Sequence, residues 1–150
     1  MQRIYAESEL IDGKRPAKLS DLMPHLAVIY DGSGRLPYTI GGQGDLYLVT
    51  SPSLLKVGWT TDMRRRLTDL RRAEAGPFTV ERMYRPINTK VETRFYEGML
   101  LELFEPWKRK GEWFELEALD AIFAQEIARK LPEKDWPKWA RQKKLIKSNA

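Results

Sequence analysis

The sequence predicts an α+β fold: a small central sheet of three mainly antiparallel strands, flanked by helices. Three observations carry that reading. Residues 45–49 (DLYLV) and 55–58 (LKVG) are short and strand-like and flank a Thr-Ser-Pro loop, the composition of a hairpin connection. Met63, Leu67 and Leu70 recur at helical spacing just after Thr60, Thr61 and Asp62, which supply N-cap chemistry. A third alternating stretch (78–85) and a longer helical one (90–104) follow in turn.

Residues 1–43 form an N-terminal extension. In it, 19–22 can make a turn of helix, LAVIY at 26–30 is strand-like, and Asp31-Gly32-Ser33-Gly34 is a turn signal. Gly41-Gly42-Gln43-Gly44 lacks the spacing and following helix of a phosphate loop and reads as a linker. His25, beside Pro24, reads as a surface or packed residue rather than a ligand.

The central domain spans 44–131. Side chains alternate across a strand, so Leu46 and Leu48 share one face and Asp45, Tyr47 and Val49 the other. On the second strand Leu55 and Val57 are the apolar pair. If the apolar pairs pack together, Tyr47 and Lys56 emerge on a common face beside the start of the next helix. That helix, 63–73, buries Met63, Leu67 and Leu70 and turns Arg64, Arg65, Arg71 and Arg72 away. Arg66 falls at the edge of its core face, where a guanidinium needs an acidic partner or a phosphate, or else snorkels to water. A Tyr, a Lys and an Arg converging on one concavity suit an anion, a phosphate above all. An ordinary strand aromatic is the plainer account of Tyr47.

Glu74-Ala75-Gly76-Pro77 ends the helix, and 78–85 is the third strand. Asn88 and Thr89 can cap the helix at 90–104, with Phe95, Met99 and Leu103 as its apolar stripe. Glu92, Glu97 and Glu102 all lie near that stripe, so periodicity does not choose among them. Lys108, Arg109 and Lys110 make a basic turn before a strand at 112–116, and a helix follows at 119–131. The tail, 132–150, interleaves Trp136 and Trp139 with Arg141, Lys143, Lys144 and Lys147. Such a segment can stack on bases and bind phosphates, or pack its tryptophans on the domain.

Composition narrows the chemistry. The chain has no Cys, which excludes disulfides, thiolate metal sites and Cys nucleophiles and fits a reducing cytoplasm. One His rules out a His-based metal cluster. No apolar run approaches the roughly 18 residues of a membrane span, and the N-terminus lacks a signal peptide's apolar core. A net charge of +5 permits a polyanionic partner.

The order of these residues resembles the GIY-YIG nuclease superfamily, and most closely its phage and mobile-element branch. Asp45-Leu46-Tyr47 stands where the family has GIY, and Lys56-Val57-Gly58 where the branch has KIG or KVG. Arg66 follows Gly58 by eight residues, and Glu97 precedes Phe104 by seven and Glu112 of Gly111-Glu112-Trp113-Phe114 by fifteen. The resemblance implies a metal-dependent DNA endonuclease without a small-molecule cofactor. In it Tyr47 activates the nucleophilic water, Arg66 stabilises the developing charge, and Glu97 holds one Mg²⁺ or Mn²⁺. Lys56 binds the phosphate or lowers the Tyr47 pKa. Arg65, Lys108, Arg109, Lys110, Trp139, Arg141, Lys143 and Lys144 join Lys56 and Arg66 as DNA contacts. Asp45 replaces the family's Gly, Leu101 stands where the branch often has His, and only Asn88 and Asn149 exist to serve as the wider family's Asn. A domain that binds nucleic acid without cutting it, and a protein-interaction module, are the alternative expectations.

Overall fold

The computed structural model describes residues 18–37, 44–74 and 77–130. In chain order the elements are α1 (Leu19–Leu22), β1 (Leu26–Tyr30), β2 (Asp45–Thr50), β3 (Leu54–Thr60), α2 (Met63–Glu74), β4 (Thr79–Pro86), α3 (Thr93–Leu103), β5 (Lys108–Lys110), β6 (Trp113–Glu115) and α4 (Glu117–Lys130). The fold is α+β, but the expected three-stranded sheet is corrected. The sheet has six strands in the order β1-β4-β2-β3-β6-β5, every neighbouring pair antiparallel.

The added strands extend the sheet at its two ends, with β1 and β5 as its edges. β1, placed by sequence in the N-terminal extension, pairs along β4 from Leu26↔Pro86 to Tyr30↔Met83. β5 and β6 form a hairpin on the free edge of β3. β1 and β6 fall on stretches that the sequence already reads as strand-like, whereas all of β5 (Lys-Arg-Lys) is exposed and leaves no alternation to read. Backbone pairing with an open edge, rather than side-chain burial, holds such a strand. The expected basic turn at 108–110 is therefore a strand.

β2, central in the sheet, is buried at every residue. On one face Leu46, Leu48, Leu55 and Val57 pack with Tyr96, Met99 and Leu100 of α3, with α1, and with Ala118, Leu119, Ala121 and Ile122 of α4. On the other, Tyr47, Val49, Val80 and Met83 pack with Met63, Leu67 and Leu70 of α2. The α2 stripe and the division of the hairpin between two faces follow from the sequence periods. The α3 stripe does not: its deepest residues are Thr93, Tyr96, Met99 and Leu100, and Phe95 and Leu103 are half-buried. α3 also starts at Thr93, later than expected, and the Thr93 hydroxyl donates to the Gly44 carbonyl at 2.8 Å, joining the start of the helix to the head of β2. Gly44 is required there: its φ is +92°, and a Cβ would lie 2.9 Å from the Thr60 carbonyl oxygen.

Candidate active site

Tyr47 is the centre of the α2 face. Register places it opposite Gly58 on β3 and Met83 on β4, and it is 2 % exposed. Its ring and hydroxyl lie over Gly58 so closely that a Cβ there would overlap them. Gly58 thus makes the space that Tyr47 occupies. Among the described residues the Tyr47 hydroxyl has no hydrogen-bond partner, which is uncommon for a buried polar atom.

Three charged side chains act on it. Burial pushes the phenol up to about 12. The Arg66 guanidinium opposes that rise, and the Glu112 and Glu97 carboxylates add to it. Arg66 is exposed on α2, whose first turn is ordered by Asp62: its carboxylate accepts from the Arg65 amide at 3.1 Å and its carbonyl from the Arg66 amide at 3.0 Å. Glu97 is half-buried on α3, whereas Glu92 and Glu102 are exposed. Glu112 sits in the β5–β6 turn, and the sequence offered it only as part of a spacing motif.

Lys56 shares the Tyr47 face, one register step away opposite Val49. Its Nζ donates to Glu112 Oε2 at 3.0 Å and sits 5.3 Å from the centre of the Trp113 ring. The expected lowering of the Tyr47 pKa by Lys56 is not what the geometry gives. The cation acting on Tyr47 is Arg66, Lys56 is engaged by Glu112, and the sum is a rise.

Asp45, where a glycine was expected, carries a charge that is neutralised locally. It is fully buried, and the half-exposed Arg85 grips it with two bonds of 2.8 and 3.1 Å. The other basic residues lie further out. Arg65 is exposed on α2, Lys108 and Arg109 make surface ion pairs with Glu105 and Glu115, and Lys110 is exposed. Beside Lys56 and Glu112, the β5–β6 hairpin and the 51–54 turn border an open groove of about 830 Å³. Trp139, Arg141, Lys143 and Lys144 lie outside the described residues.

The T5orf172 domain model matches residues 44–140, well over half of the chain. The chain belongs to the T5orf172 domain family. This corrects the resemblance to the GIY-YIG superfamily: the family that matches is a different one, and no GIY-YIG model matched. Each tripeptide is short, and their order is not unique to one family. T5orf172 domains are phage-associated and nuclease-like, which is compatible with a nucleic-acid-related function. No curated protein and no solved structure matched the chain. No helix among the described residues is long and apolar enough to cross a membrane.

Proposed function

We propose that this T5orf172 domain is a metal-dependent DNA endonuclease that hydrolyses phosphodiester bonds at Tyr47. The observation that carries the reading is the buried Tyr47 hydroxyl, without a hydrogen-bond partner among the described residues and within electrostatic reach of Arg66, Glu112 and Glu97. In-line hydrolysis needs an oriented water, positive charge for the phosphoryl oxygens and help for the leaving oxygen. Tyr47, neutral at pH 7, holds the attacking water through its hydroxyl. Arg66 lies exposed on α2, where its planar fork suits two phosphate oxygens. Lys56 and Glu112 hold one another and border the path of the strand.

No group of three or more Asp, Glu, His or Cys side chains among the described residues could cage an ion. The donor set fits a hard cation that keeps most of its waters and takes one carboxylate, as Mg²⁺ and Mn²⁺ do. Glu97 is that carboxylate. A bound ion would supply a Lewis acid for a phosphate oxygen and offset the Glu97 charge that raises the Tyr47 pKa. The absence of Cys favours a cytoplasmic setting.

A phenol pushed up to about 12 favours one second reading, a domain that binds DNA without cutting it. Plasmid nicking with Mg²⁺ or Mn²⁺ separates the two. Glu97→Gln abolishes nicking with DNA affinity retained, and Arg66→Ala lowers the rate by about 10²-fold, the scale of a lost charge-stabilising donor. Nicking by Glu97→Gln at the wild-type rate removes the metal assignment. No nicking by wild type leaves the binding reading.

A further inference from the structure

The groove beside Tyr47 contains groups that hydrolysis itself does not use. Trp113 forms part of its wall, backed by the buried Phe78, with ring centroids 6.1 Å apart and planes tilted by 41°. Arg109 and Lys110 of β5 form its basic rim. Lys56 and Glu112 line it too, and Glu112 acts on the Tyr47 phenol, so the groove adjoins the site through that ion pair. Its volume of about 830 Å³ falls within the roughly 300–1,000 Å³ of sites that take small ligands. The cations are available. Among the described residues Arg109 has only a long, exposed ion pair, to Glu115 at 3.7 Å, and Lys110 has none.

An aromatic wall under a cationic rim complements a flat ring that carries a phosphate. Trp113 offers a stacking surface for a base, and Arg109 and Lys110 offer charge for its backbone. A base inside an intact duplex cannot reach such a wall, because it is stacked and paired. We propose that the groove holds an unpaired nucleotide of the DNA strand next to the bond presented to Tyr47. The substrate class is then DNA with a single-stranded or extruded nucleotide, such as an overhang, a fork or a mismatch. This rests on the reading of the Tyr47 site as one that acts on DNA.

The test measures binding by the full chain with divalent ions chelated, so that cleavage does not enter. Two probes are compared by fluorescence anisotropy: a blunt duplex, and the same duplex with a single-stranded overhang carrying 2-aminopurine. The overhang probe binds about tenfold or more tightly, and its 2-aminopurine emission is quenched on binding. Trp113→Leu loses both the preference and the quenching. Trp113→Phe, which keeps a ring, retains most of each and guards against a folding defect. Lys110→Ala keeps the quenching and lowers the salt slope by about one contact. Equal affinity for the two probes, or quenching unchanged in Trp113→Leu, overturns the inference. So does Trp113→Phe behaving as badly as Trp113→Leu. If wild type nicks plasmid yet binds both probes equally, the inference fails alone. If Glu97→Gln leaves nicking intact while the overhang preference holds, the metal assignment fails alone.

Discussion

Tyr84 and Tyr47 lie on adjacent strands, both within 2 % of full burial, and face opposite sides of the sheet. Tyr84 is completed by the fold. Its hydroxyl donates to Glu126 Oε1 at 3.0 Å, and the same carboxylate accepts two bonds from Arg82 at 2.9 and 3.0 Å. Arg82 in turn covers Phe123 at 4.4 Å and donates to the Asp31 carbonyl, so this network ties α4 and the end of β1 to β4. Tyr47 sits among charges too, yet its hydroxyl has no hydrogen bond among the described residues. A buried polar group with its partners in place stabilises architecture, whereas one without a partner keeps hydrogen-bonding capacity for a bound water or ligand.

The largest expected effect separates the two residues by activity. Tyr47→Phe lowers nicking by about 10²-fold or more, while its unfolding free energy at neutral pH stays within about 0.5 kcal/mol of wild type, since no hydrogen bond to the described residues is lost. Tyr84→Phe shows the reverse: a near wild-type rate and a loss of about 1 kcal/mol. Nicking rates and urea melts on both proteins decide it, and equal rates would erase the distinction.

A smaller effect is expected at the glycine that creates the Tyr47 niche. Gly58→Ala drives a methyl group into the Tyr47 ring, whose Cε2 lies 2.8 Å from the position of that Cβ. The ring is packed by Met63 and Met83 and has little room to yield. The cost is that of overpacking, about 1–3 kcal/mol, and nicking falls because the hydroxyl is displaced. A stable, fully active Gly58→Ala protein would show that the close approach is not needed.

The smallest effect is on alkaline stability. Tyr47 titrates near 10 when unfolded and at about 12 when folded, so the folded state favours its neutral form. That contribution, on the order of 2 kcal/mol, is fully present below pH 10 and is lost as pH rises through 12. Tyr47→Phe lacks this loss and gains on wild type across that window. Glu112→Gln removes one of the charges that raise the pKa, so its alkaline loss ends at lower pH. Spectrophotometric titration of tyrosinate absorbance with parallel melts checks the order, and a Tyr47 titration below pH 10 would reverse the sign.

The sequence by itself determined what local period and local chemistry can express. The α2 stripe, the Asp62 cap, the β2–β3 hairpin and the shared face of Tyr47 and Lys56 were all legible, because a period of 3.6 or 2 reports which side of an element faces the core. Only the tertiary structure decided what lies opposite each face. It joined the strand-like stretches at 26–30 and 112–116 to the sheet and added β5, whose exposed residues carry no burial pattern, and it buried Thr93, Tyr96 and Leu100 of α3 rather than Phe95 and Leu103. It placed Arg85 on Asp45 across 40 residues and Glu112 on Lys56 across 56, pairings that no local spacing encodes. It also gave Tyr47 its high pKa, because burial under α2 and the summed charges of Arg66, Glu112 and Glu97 set that value, and these groups come within reach of one phenol only in the folded chain.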